Sequence, residues 1–308
     1  HDDDPFARYE AMQQLMLDTL LQAVSTSSAD HAPVIEAVRR TLEDEALDPA
    51  FAAEAVLLPS EAFVGDHMLV VDPDAVRAAR DALRTELGAT LEQNWRDAYA
   101  STAANRFEYS PAAKGGRRLK SVALGYLMAG GAEDAPRIAE RQFADADNMT
   151  DRLGALGALA NSDAPERHGA LAAFYERYRG DALVLDKWFT TQALSTRDDT
   201  VDQVEALAKH PDFTLANPNR MRALVGAFAA NQRAFHDASG RGYRFLADMI
   251  LAVDRLNPQT AARLVPPLGR WRRFDEGRQA LMRAELERIV AAPCLSKDVL
   301  EQASKSLG

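Results

Sequence analysis

The chain has 308 residues, 36 Lys and Arg against 46 Asp and Glu, and a net charge of −10. Single hydrophobic cores stop growing at roughly 250–300 residues, so two lobes or a repeat array is expected. The acidic balance repels phosphate backbones, which argues against a nucleic-acid partner, and no apolar run approaches the roughly 18 residues of a membrane span, which argues against a membrane partner.

Alanine abounds, with only 17 Gly and 14 Pro, which favours long helices over an all-β sandwich needing frequent turns. The first helix is predicted from about Pro5 to Val24, with Phe6, Tyr9, Met12, Leu15, Met16, Leu20 and Leu21 as its apolar stripe. Asp2, Asp3 and Asp4 precede it and are expected to cap it, since carboxylates favour the positive end of the helix dipole. Further starts are marked by Pro33, Asp48-Pro49, Pro59-Ser60-Glu61 and Asp72-Pro73-Asp74, where proline at the first turn costs nothing. The pattern resumes at Asn148, Asp163-Ala164-Pro165, Asp198-Asp199, Asn217-Pro218, Asn257-Pro258 and Asp275-Glu276.

Strand-like alternation is nearly absent, and about seventeen helices result, or about 36 residues per helix pair, within the helical-repeat range. The fold predicted is all-α: an irregular α-solenoid of about seventeen helices in antiparallel pairs, a HEAT/armadillo-like superhelix forming a single helical-repeat domain over residues 1–308. The first residue is His1, and a piece of a longer polypeptide is expected.

Self-contained chemistry is hard to find. The histidines at 1, 31, 67, 168, 210 and 236 include no i, i+4 pair, and H-E-x-x-H does not occur. A catalytic zinc needs about three protein ligands plus an open position, so no metal is expected in this chain. Lys114-Gly115-Gly116-Arg117-Arg118 lacks P-loop spacing, Gly154 and Gly157 lie inside a helical pattern, and no G-x-S-x-G elbow is present. Cys294 is the single cysteine; it closes no intrachain disulfide and is expected as a small buried hydrophobe, a usage that fits a reducing, cytoplasmic compartment.

Polar residues at helix starts remain. Asn217 is expected as a cap, Arg220 or Arg222 as a structural ion-pair partner, and Trp188 as core. His236 with Gly240, Gly242 and Tyr243 predicts a tight loop leading into a helix. Gln259 and Arg263 share one face near a helix start; they fit a solvated surface, or a carboxamide and a guanidinium able to read a peptide's amide and carbonyl groups.

Taken together, several phrases resemble the C-terminal helical domain of bacterial members of the M1 (gluzincin) family of zinc metallo-aminopeptidases. They run in order from His1-Asp2-Asp3-Asp4-Pro5-Phe6-Ala7-Arg8-Tyr9-Glu10-Ala11 through Leu58-Pro59-Ser60, Asn148-Met149-Thr150-Asp151-Arg152 and Leu183-Val184-Leu185-Asp186-Lys187-Trp188-Phe189. Asn217-Pro218-Asn219-Arg220, Gly240-Arg241-Gly242-Tyr243, Asn257-Pro258-Gln259 with Arg263-Leu264, and Leu295-Ser296-Lys297-Asp298 complete the series.

The resemblance implies a zinc-dependent enzyme that removes N-terminal residues from peptides, of which this chain supplies only the last, non-catalytic domain. The catalytic domain of the same polypeptide, which carries H-E-x-x-H and G-A-M-E-N in that family, is then the partner. The helical domain covers it, encloses the substrate chamber and limits access to short peptides; zinc belongs to the full-length enzyme and the chain alone is inactive. By the same resemblance Gln259 lies at the edge of the pocket for the first substrate side chain, and Arg263 faces the active-site cavity. His236-Asp237-Ala238-Ser239 is less acidic than that family's loop. The alternative is a free-standing helical-repeat scaffold that binds a protein or peptide partner.

Overall fold

Helix starts are fixed by side chains that satisfy first-turn N–H groups. In the computed structural model, which describes residues 4–102 and 106–308, such caps divide the chain into helices joined by short loops. The first ten are α1 (Pro5–Thr26), α2 (Ala32–Glu43), α3 (Pro49–Ala55), α4 (Glu61–Asp66), α5 (Pro73–Thr90), α6 (Glu92–Ser101), α7 (Pro111–Gly130), α8 (Ala135–Asp145), α9 (Met149–Ala160) and α10 (Glu166–Tyr178). Next come α11 (Ala182–Ala193), α12 (Thr200–Leu207), α13 (Pro218–Met221), α14 (Ala227–Ala230) and α15 (Gln232–Phe235). The last are α16 (Arg241–Asp254), α17 (Pro258–Ala262), α18 (Pro266–Gly269), α19 (Glu276–Val290) and α20 (Lys297–Leu307). The excess over the expected number comes from one-turn pieces such as α13, α15, α17 and α18. Between α13 and α14 the helix widens into a π turn at Arg222–Gly226.

Among the described residues no strand occurs; a single isolated parallel bridge joins Val71 to Phe274. Asp4 caps α1 by accepting from the Phe6 N–H, while Asp2 and Asp3 lie outside the described residues. In α1 the buried stripe is Met12, Met16, Leu17, Leu20 and Ala23, and Phe6, expected at its head, is exposed. Phe6 belongs to the first turn, ahead of Met12, the first buried residue of the helix.

The contacts fall into two compact units. One takes the chain up to His67 together with Asp74–Ala170; the other takes Met68–Pro73 with Leu171–Gly308. Within the first, consecutive helices pack as pairs, α1 on α2, α6 on α7 and α8 on α9, with α7 also against α3. Its centre is Trp95, which stacks on Tyr126 at 4.2 Å and donates its indole N–H to the Leu87 carbonyl. The Tyr126 hydroxyl donates to the Val56 carbonyl at 2.6 Å, and burial pushes this phenol up to about 12. In the second unit α16 packs on α17 and α19, and α20 on α17 and α19. Phe228 sits edge-on to Phe235 and Phe245 at its core.

Five buried arginines, Arg117, Arg152, Arg167, Arg220 and Arg278, tie helix ends together. Each donates to a backbone carbonyl: Glu108 before α7, Ala146 after α8, Ala160 at the end of α9, Asp212 after α12, and His236 after α15. Helix C-termini leave carbonyls without intrahelical partners, and a guanidinium fork supplies donors that a buried loop cannot obtain from water.

Helices α5 and α7 approach backbone to backbone at Gly88 and Gly130. A Cβ on Gly88 would lie 2.3 Å from the Tyr126 carbonyl, and one on Gly130 the same distance from the Gly88 carbonyl carbon. Gly88→Ala is therefore expected to destabilise by about 1–3 kcal/mol, because rigid backbone must move. Gly157→Ala, mid-helix in α9 with nothing within 4 Å, is expected to stabilise by about 1 kcal/mol through helix propensity. Urea midpoints of the two variants should move in opposite directions.

Candidate functional site

The segment from Asn257 to Arg263 is built on a buried foundation. Asp254, at the end of α16, accepts from the backbone N–H of Ser296 at 2.9 Å and from its hydroxyl, binding α16 to the start of α20. Asn257 then caps α17, accepting from the Thr260 N–H at 3.0 Å, with Pro258 in the first turn. Ala261, Leu264 and Val265 point inward and are buried.

Gln259 and Arg263 are exposed, on the opposite side of the same turn. The Arg263 N–H donates to the Gln259 carbonyl at 3.3 Å, so the i, i+4 spacing does bring the two residues onto one face. The expected place beside a helix N-terminus is corrected for Arg263: α17 is a single turn, and Arg263 is its C-cap. Neither side chain has a hydrogen bond or ion pair to another described residue. The carboxamide offers a donor and an acceptor and the guanidinium five donors, enough to meet peptide amide, carbonyl or carboxylate groups.

The other candidates are structural. Asn217 accepts from the N–H groups of Asn219 and Arg220. Arg220 is buried against Asp186 and lies over the Phe189 ring at 5.0 Å, the ion pair expected of one of the two arginines; Arg222 turns back onto Pro218 and Asn219. Trp188 is buried, donating to the Leu171 carbonyl at 3.0 Å. Gly115 lies in α7 against α3, where a Cβ would meet the Ala50 nitrogen at 2.9 Å; its role is close packing.

Gly240 takes the left-handed conformation expected of a tight turn, with φ 70°. Gly242, one residue into α16, is needed for a different reason: a Cβ there would lie 2.5 Å from the Phe235 carbonyl oxygen. His236 faces inward, buried, its Nδ1 2.9 Å from the Tyr243 hydroxyl and its ring stacked on Phe274 at 4.2 Å. Cys294, expected inside, is exposed in the turn between α19 and α20 with φ 60°, because that turn is left-handed and carries the residue away from the α19 core.

Three further histidines have partners within the chain. His31 meets Glu86 at 2.6 Å, His67 the Phe63 carbonyl, and His210 the Asp212 N–H. Among the described residues no three His, Cys, Asp or Glu side chains gather into a group able to hold a metal ion, so the donor set does not fit zinc. Among the described residues no helix is long and apolar enough to cross a membrane. Spacing gave no notice of a cleft in the first unit lined by Arg80, Arg84 and Arg118. Its signal, two arginines four apart on α5, is ordinary on any exposed helix.

An all-helical chain with these capped, short-looped repeats is of the ARM-repeat class. It belongs to the family described as "Domain of unknown function (DUF3458_C) ARM repeats", whose match runs over residues 1–308. Over its full length it is similar to aminopeptidase N of Caulobacter vibrioides, 45% identical over 312 residues and covering 36% of that protein. It is likewise similar to aminopeptidase N of Escherichia coli, 36% identical over 315 residues and again 36% of that protein. A crystal structure of Legionella pneumophila aminopeptidase A in complex with aspartic acid matches 99% of the chain with a TM-score of 0.91 and 29% identity, covering 37% of that protein. The chain therefore spans little more than a third of the length of these relatives.

Burial lowers the His236 pKa from 6.5 to about 3, aided by the charges of Arg278 and Arg270 and opposed by Asp275. Between these values the unfolded chain binds a proton that the folded chain excludes, so stability from this group is full above pH 6.5 and lost as pH falls toward 3. Urea midpoints measured from pH 7 down to pH 4 are expected to decline, with a shallower slope in His236→Phe.

Proposed function

We propose that this chain is the C-terminal, non-catalytic part of a zinc-dependent aminopeptidase, covering the catalytic domain of the same polypeptide and limiting its chamber to short peptides. The observation that carries this reading is the match of the entire chain to little more than a third of aminopeptidase N, at 45% identity in the Caulobacter protein. Metal and chemistry then belong to the remaining part of the polypeptide, and this chain's residues take no step in bond cleavage. Its contribution is surface: a rigid single turn presenting Gln259 at the rim of the pocket for the first substrate side chain and Arg263 toward the cavity. The absence of a partner for either side chain among the described residues supports a role for both in meeting substrate. A single helical-repeat domain over 1–308, working in the cytoplasm, completes the proposal; the acidic balance and sparing cysteine usage fit that compartment.

Two experiments test it. The isolated chain, incubated with an aminoacyl-p-nitroanilide with and without zinc, is expected to release no product; turnover by this chain alone would overturn the proposal. In a polypeptide of the relatives' full length, Arg263→Ala is expected to raise KM for peptides several-fold with kcat little changed, the pattern of lost uniform binding. Gln259→Ala should change the ranking of N-terminal residues more than the maximal rate. Unchanged KM and unchanged preference would remove both residues from the site.

A further inference from the structure

Arg80 and Arg84 lie four residues apart on α5, on one helix face. With Arg118, Leu57, Leu58 and Val122 they line a cleft of about 260 Å³ in the first unit. Arg118 is neutralised by Glu54 at 2.6 Å. Arg80 and Arg84 are held differently. Arg80 donates to the carbonyls of Pro59 at 2.7 Å and Leu58 at 3.4 Å, and Arg84 to the carbonyl of Gly125 at 3.2 Å.

Among the described residues neither has a carboxylate within 4.0 Å, and the nearby acid on their own helix, Asp81, is paired with Arg77. Carbonyl oxygens satisfy individual N–H groups but carry no full charge, so two like charges share the cleft without a counter-ion. Burial, helped by the charge of Arg80, holds Arg84 below the usual guanidinium range, with Tyr126 and Asp81 acting the other way. Both side chains are half-buried, and an anion seated between the two forks would balance their charge.

We propose that this cleft binds the carboxylate of a small ligand with a short apolar body. The guanidinium forks match a carboxylate's two oxygens, and their remaining N–H groups are free to meet it. Leu57, Leu58 and Val122 supply a surface for the apolar body, which an inorganic oxyanion would leave unused. Two guanidiniums without a paired carboxylate, Arg80 and Arg84, in one small volume disfavour an ammonium group, so a plain carboxylate suits the cleft better than an amino acid.

Calorimetric titration of the chain with isocaproate at low ionic strength tests this, with isocaproamide and inorganic phosphate as the other arms. Saturable one-site binding of isocaproate is expected, with no binding of the amide and weaker binding of phosphate. Arg84→Gln and Arg80→Gln should each reduce affinity at least about tenfold, while Arg118→Gln, whose charge Glu54 already balances, should do less. Circular dichroism checks the fold of each variant, and Arg84→Lys, which keeps the charge without the fork, carries the test if Arg84→Gln does not fold. No saturation by the intact chain, affinity unchanged from the intact chain's in Arg80→Gln and Arg84→Gln, or phosphate binding more tightly than isocaproate would each overturn the proposal. So would loss of isocaproate binding in a polypeptide of the relatives' full length, since an acidic side chain from the added part would then already fill the cleft.

Discussion

A fold made of short helices creates many helix ends, and every buried end leaves carbonyl oxygens that water cannot reach. The five buried arginines answer this constraint. Each carries a guanidinium from one helix to a carbonyl at or near the end of another segment, so the loop is held by a charged fork and not by chain connectivity alone. Arg278 joins the His236 carbonyl to Asp275, and Arg220 joins the Asp212 carbonyl to Asp186. Removing such a side chain would orphan a buried carbonyl and leave a carboxylate without its partner, two losses from one substitution.

This gives a way to sort the arginines by role. Those that bind carbonyls together with a carboxylate of the chain, such as Arg220 and Arg278, are complete within the fold. Among the described residues Arg263 has no hydrogen-bond or ion-pair partner, and Arg80 and Arg84 have carbonyls but no carboxylate within 4.0 Å. Positive charge left unbalanced on a molecule with ten excess negative charges is informative, because acidic residues able to neutralise it are abundant elsewhere in the chain. The backbone that presents Arg263 is anchored through Asp254, Ser296 and the Asn257 cap, so an exposed side chain stands on a hydrogen-bonded base.

Much of the architecture was legible because helix starts announce themselves chemically. Asp48, Ser60, Asn148, Asn217, Asn257 and Asp275 all cap the helices predicted from them, since a short polar side chain before a first-turn N–H group has few other uses. Helix ends were less legible. Nothing in the spacing distinguishes one-turn α17 from a longer helix, which is why Arg263 was expected near an N-terminus and stands at a C-cap. The burial of Phe6 and Cys294 was misread for a related reason: periodicity gives the face of a helix but not where its neighbours stop, nor a left-handed turn at a non-glycine residue. Pairings such as Arg278 with the His236 carbonyl span 42 positions and depend on tertiary packing alone.

The π turn at Arg222–Gly226 has a consequence for comparing chain lengths. It holds Ala223, Leu224 and Val225, three successive residues, all buried, which no regular α-helix places on one narrow stripe. Such a turn stores one surplus residue as a bulge between two ordinary helical segments. Excising a single residue there would let α13 and α14 merge into an unbroken cylinder, so gains and losses of one codon are most easily absorbed at this point of the second unit.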